Sequence, residues 1–118
     1  MNKKKHTIKK TIEKICDLML DKKAFDIKII NVKNLTSLTD YFIVCSSGSA
    51  PQTKAITNHI RDELISFDLK PSNIEGYENL KWVLIDYVNI IIHVFDKESR
   101  DYYSFERLWA DGEIKTIE

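Results

Sequence analysis

The stretch YFIVCSSGSAP, Tyr41 to Pro51, decides the fold class. Its first five residues are continuously apolar, as in a strand buried on both faces. Ser46 to Pro51 then supplies small and polar residues for a connection. Pro51 suits a first helical turn, where its fixed φ fits and its missing N–H would have no helical partner. A doubly buried strand that feeds a helix predicts an α/β arrangement.

Moving outward toward the C-terminus, Ile56, Ile60 and Leu64 recur at i, i+4 and i+8, so the helix is predicted to run to about Phe67 with Arg61, Asp62 and Glu63 mostly outside. Ser72 to Glu75 reads as a short strand closed by Gly76, and residues 77–81 as a loop. Trp82–Asp86 and Ile90–Phe95 are two strong β runs around Val88-Asn89, which predicts an antiparallel hairpin in which Asn takes the positive φ. Ser99 to Trp109 reads as one or two short helical turns with Phe105, Leu108 and Trp109 on an apolar side. Toward the N-terminus, Asn34 to Thr39 is turn-like. Asp26 to Val32 alternates with Ile27 and Ile29 on one face, as a strand does. Residues 7–22 carry Ile8, Ile12, Ile15 and Met19 on one helical stripe, with Thr7 as N-cap. The prediction is a single α/β domain over residues 1–118, with one mixed sheet of about five strands and flanking helices. The basic tail 1–6 and residues 111–118 are expected to fray.

A chain of 118 residues buries roughly two-thirds of the surface its unfolded form exposes, enough for one core without metal or disulfide staples. Cys16 and Cys45 stand 29 positions apart outside any C-x-x-C pair, so they are expected to be buried, reduced thiols. There is no secretory h-region and no apolar run near the ~20 residues of a membrane span, which makes the cytoplasm the expected setting. Net charge is zero, but residues 1–23 carry +5 and residues 24–118 carry −5. A basic N-terminal helix can lie near RNA, yet no Arg cluster or interleaved aromatic accompanies it, so it reads as a solvated face.

Catalytic constellations do not assemble. There is no G-x-x-x-x-G-K-[ST] loop. Ser46-Ser47-Gly48-Ser49 could cradle an anion at a helix start, but Ser and Gly also make ordinary connections. The strand–Gly-Ser–helix order is that of nucleotidyltransferases, which need two or three carboxylates on strands to hold Mg²⁺. The available pairs, Asp96/Glu98 and Asp111/Glu113, fall after the strands, and Asp86 stands alone on its own. His6, His59 and His93 do not converge, and a zinc site would need ligands that are here scattered. No enzyme activity, metal or cofactor is expected.

Eight of the twelve aromatic residues lie between positions 77 and 109. Phe95, Phe105 and Trp109 are expected in the core. Trp82 opens its strand directly after a polar loop, a place where an aromatic ring can anchor an interface.

Ser37-Leu38-Thr39-Asp40-Tyr41-Phe42-Ile43-Val44 resembles the opening motif of the ribosomal silencing factor family, also called Iojap. Further blocks follow in the family's order and spacing: Glu75-Gly76, Trp82 to Tyr87, Ile92 to Phe95, Ser99-Arg100, Tyr103, and Glu106 to Trp109. The match covers about residues 8–110. The resemblance implies a nucleotidyltransferase-like fold without that chemistry. It also implies a repressor that binds the large ribosomal subunit through large-subunit protein fourteen and sterically blocks the small subunit, chiefly when nutrients are short. On the family pattern the docking positions are Trp82 and Asp86, with Tyr41, Glu75, Tyr87 and Tyr103 as weaker candidates. A homodimer is also implied for some members, and no DNA, membrane or small-molecule substrate is. Two positions depart from the pattern: Pro51 replaces a polar or Arg residue, and Val88-Asn89 replaces Gly-Asp. The rival readings are a small nucleotidyltransferase-like enzyme and a generic RNA-binding domain.

Overall fold

Strand β2 (Tyr41–Ser47) is the central buried strand: every residue after Tyr41 is buried. The computed structural model describes residues 6–117. The chain runs α1 (Ile8–Asp21), β1 (Phe25–Asn31), β2, α2 (Ala50–Glu63), a 3-10 turn (Leu64–Phe67), β3 (Asn73–Glu75), β4 (Trp82–Asp86), β5 (Ile90–Asp96), α3 (Lys97–Tyr103), α4 (Phe105–Leu108) and β6 (Glu113–Thr116). The sheet order is β3-β4-β5-β2-β1-β6. Only β2 and β5 pair in parallel; the other neighbours are antiparallel.

Helices α1 and α2 start where the sequence puts their caps. Thr7 accepts the Lys10 N–H through its side chain, Ser49 accepts that of Gln52, and Pro51 sits in the first turn of α2. Ile12, Ile15 and Met19 of α1 are buried with Ile56 and Ile60 of α2 against one sheet face, made by Ile27, Ile43, Val83, Ile85, Ile92 and Val94. Burying each such side chain fully contributes about 1.5–3 kcal/mol. The opposite face carries a smaller cluster, in which Phe105 and Trp109 pack on Ile30, Phe42, Val44, Ile91 and Phe95. Phe95 and Phe105 are buried in the core as expected, whereas Trp109, also expected there, is half-buried at the edge of this cluster.

The sheet has six strands rather than about five. Residues 113–116, expected to fray, pair with β1 from Lys28↔Thr116 to Asn31↔Glu113. Gly112 lets the chain approach: a Cβ there would lie 2.8 Å from the Asn31 carbonyl oxygen. Leu108 is 72% exposed rather than on the apolar side, because α4 is a single turn that reaches the sheet with Phe105. In the β4–β5 turn the positive φ falls on Val88, at 74°, and not on Asn89. The turn closes over three residues, with Asn89 N–H donating to the Tyr87 carbonyl at 2.9 Å. The basic tail lies outside the described residues except for His6, whose ring stacks on Phe67 at 3.8 Å.

Candidate docking surface

Side chains on a strand alternate between faces, and this divides the expected docking residues. Trp82 and Leu84 join the cluster beneath α3 and α4, and Val83, Ile85 and Tyr87 join the cluster beneath α1 and α2. Asp86 shares the face of Trp82 and Leu84. Glu75 pairs with Leu84 across β3–β4 and so lies there too. Tyr103, at the end of α3, brings its ring within 5.0 Å of Trp82. Trp82 and Tyr103 therefore meet, and Glu75 and Asp86 share that face of the sheet. Helix α3 packs on β5 and β2. The same face of β3 and β4 keeps half-buried or exposed side chains.

Tyr87 and Tyr41 are placed elsewhere. Tyr87 is 9% exposed in the core beneath the long helices, and burial pushes its hydroxyl pKa up to about 12. Tyr41 packs partly against the same core, and the Lys33 ammonium lies 5.0 Å from its ring centroid. Alternation alone separates Tyr87 from Trp82 and Asp86, since positions 82, 84 and 86 share a face and 87 does not.

Trp82 is held from several sides. Its ring stacks on Phe95 at 4.8 Å. Its Nε1–H donates to His93 Nδ1 at 3.0 Å. His93 is 3% exposed, and burial lowers its pKa to about 3, so the ring is neutral at physiological pH. Gly76 fixes the approach to β4. It has a φ of 80°, and a Cβ there would fall 2.0 Å from the Trp82 carbonyl oxygen. Only glycine fits where the incoming chain lies flat on the start of that strand.

The Ser99-Arg100 and Glu106 motif residues form a clamp. Arg100 is 5% exposed and pairs with Glu106 through two parallel bonds, Nε to Oε1 and Nη2 to Oε2, each 3.1 Å. Its Nη1 donates to Ser46 Oγ at 2.9 Å and to the Asp26 carbonyl. Asp26 has a φ of 52° at the irregularity between Phe25 and Lys28, which aims its carbonyl at the guanidinium. Lys28 Nζ also reaches Glu106 at 3.2 Å. Burial alone would raise the Glu106 pKa, but the bonds and charges of Arg100 and Lys28 lower it overall. A buried Arg had no readable signal in the chain, because its partners lie far away in sequence.

The groups that carry chemistry elsewhere are engaged locally. Gly48 N–H donates to Gln52 Oε1 at 2.7 Å, and Gln52 Nε2 donates to the Lys22 and Lys23 carbonyls. The Ser-Gly loop thus latches α2 to the end of α1. Asp96 Oδ1 accepts the Ser99 N–H at the start of α3. His59 Nε2 meets Asp21 Oδ2 at 2.9 Å. Cys16 and Cys45 are buried free thiols whose pKa values burial pushes to about 11 and about 12. Among the described residues no group of three or more His, Cys, Asp or Glu is placed to hold a metal ion. No helix among them is long and apolar enough to cross a membrane.

A family model described as "Ribosomal silencing factor during starvation" matches residues 5–118. The chain belongs to the ribosomal silencing factor family. Within that family it is 33% identical over 118 residues to "Ribosomal silencing factor RsfS" of Bacillus subtilis, covering all of this chain and 96% of the relative. The fold is that of a Chromobacterium violaceum protein of known crystal structure, with a TM-score of 0.86 and 31% identity over 89% of this chain and 88% of that one. A more distant relative is the mouse protein named "Mitochondrial assembly of ribosomal large subunit protein 1", 27% identical over 84% of this chain and 45% of the relative. The blocks that mark the silencing factors in the sequence are accordingly of two kinds here. Arg100, Glu106 and Gly76 build the fold, while Trp82 and Asp86 lie half-buried on the partly exposed sheet face.

Proposed function

We propose that this silencing factor docks on the large ribosomal subunit through large-subunit protein fourteen and sterically prevents the small subunit from joining, chiefly under nutrient limitation. The observation that carries this reading is the partly exposed face of β3 and β4, where half-buried Trp82 meets Tyr103 and shares its face with Glu75 and Asp86. A rigid aromatic ring flanked by polar and charged groups is the usual form of an interface anchor. The family description names silencing and starvation, and the name of the mouse relative includes the large subunit, which supports the choice of partner. Docking is assigned to Trp82, Asp86, Glu75 and Tyr103. Tyr87 and Tyr41 support the strand from its other face. The setting is the cytoplasm, where the subunits meet.

The test is sedimentation with purified large subunits, followed by addition of small subunits. The protein travels with the large subunit and lowers the yield of joined ribosomes. Trp82→Ala costs ~2 kcal/mol or more of binding, about thirtyfold in affinity. A protein that stays at the top of the gradient overturns the proposal.

A further inference from the structure

The tryptophan that anchors the proposed docking face does not hold itself in place. It stands at the first position of β4, half-buried, with Phe95, Tyr103 and Phe105 around its ring. Apolar packing has little directional preference, and an anchor ring that must be ordered on contact costs affinity. One directional bond adds to that packing and sets which way the ring faces, from Trp82 Nε1–H to His93 Nδ1 at 3.0 Å. Trp82 pairs with Phe95 and His93 pairs with Leu84, so the imidazole is the diagonal neighbour of the indole on one sheet face.

The imidazole is itself immobilised. Phe42 meets it edge-on at 4.9 Å and Phe105 lies 4.4 Å away, with Phe95 parallel at 6.3 Å. An Nδ1 that accepts a proton donor must carry the lone pair, so the ring's own hydrogen sits on Nε2. That Nε2 is buried with no hydrogen-bond partner among the described residues. The sheet therefore keeps a buried polar ring whose one satisfied atom is the one that faces Trp82. A phenylalanine would fill this aromatic pocket with no unsatisfied ring N–H of its own and would remove only the acceptor of the Trp82 N–H, so packing alone does not account for a histidine.

We infer that His93 is a positioning residue for docking: its Nδ1 holds the Trp82 indole in the orientation the partner meets. The inference rests on the docking role of Trp82 proposed above. His93 touches no partner atom itself. It lowers the ordering cost of binding by selecting the indole rotamer before contact.

The experiment compares three proteins for affinity to purified large ribosomal subunits: the native chain, Trp82→Ala and His93→Phe. Each is also followed by the Trp82 indole N–H resonance and its hydrogen exchange, in a Trp109→Phe background so that one indole remains. His93→Phe is expected to keep its melting temperature, lose protection of the indole N–H, and bind about tenfold more weakly. His93→Asn, whose Oδ1 takes the place of Nδ1, recovers part of both. If His93→Phe fails to fold, the same bond is removed from the other side by chemical synthesis with benzothienylalanine at position 82, where sulfur replaces N–H. Loss of binding in Trp82→Ala but not when the bond is removed overturns the positioning role and leaves the docking reading standing. Loss in neither overturns both.

Discussion

The Asp86 carboxylate holds the main chain of Val88: Oδ1 accepts the Val88 N–H at 2.7 Å, across a turn in which Val88 has a φ of 74°. A β-branched residue at positive φ is strained, because its Cβ crowds the neighbouring carbonyl. The carboxylate compensates by fixing the N–H in the one direction this backbone allows. One acid thus serves both the hairpin and the outer face of β4.

Replacing Val88 by glycine removes that strain. Val88→Gly is expected to stabilise the fold by about 1 kcal/mol, the balance of strain relief against glycine's greater unfolded-state entropy. Urea unfolding would show a higher midpoint at an unchanged slope, and a lower midpoint would refute the account.

Tyr87 separates core from interface. Its hydroxyl is buried without a hydrogen-bond partner among the described residues, on the face beneath α1 and α2. Tyr87→Phe should raise stability by roughly 1 kcal/mol, and sedimentation with large subunits should stay as in the native protein. Weakened sedimentation at undiminished stability would place Tyr87 in the contact after all.

Acid should loosen the fold in two stages. His93 has its pKa lowered from 6.5 to about 3, so between those values the unfolded chain takes up a proton that the folded chain refuses. Stability is therefore full above pH 6.5 and falls as pH drops toward 3. Glu106, lowered below its ordinary 4.5, contributes stability that is likewise lost at the acid end. Melting temperatures measured from pH 8 to pH 4 should be level at first and then decline. In His93→Phe the decline should begin at lower pH; an unchanged profile in that variant would exclude the histidine as its source.

Arg100 joins α3 to β1 and β2. Arg100→Met removes the partner of Glu106 and leaves Ser46 and the Asp26 carbonyl without their shared donor. Breaking a buried ion pair costs about 3–5 kcal/mol, and the partial exposure of Glu106 places this one near the lower end. Calorimetry that found a loss below about 1 kcal/mol, the range of a surface pair, would mean the clamp is not structural.

Much of this arrangement was legible in the chain. Period two marked β1, strong β runs marked β4 and β5, the unbroken apolar run marked β2, and Thr7 and Pro51 marked the helix starts. What escaped reading has physical reasons. The side chains of β6 are all exposed, so no alternation advertises a strand held by main-chain hydrogen bonds alone. Val88 takes the positive φ because Asp86 and the strand register force it there, a tertiary constraint that overrides the local preference of Asn89. At the candidate site the half-buried place of Trp82 was readable from its position after a loop. Its bond to His93 was not, because sequence shows spacing but not which ring nitrogen faces which neighbour.

Strand β6 has one more consequence. Without it, β1 would end the sheet with a row of bare N–H and C=O groups beside Ile27, Ile29 and Ile30, a template on which another molecule can stack in cross-β fashion. The four residues from Glu113 to Thr116 occupy that template from within the same chain, and they present Glu113 and Lys115 to the outside. Strand β6 thus covers the β1 edge at the flank of the sheet farthest from Trp82.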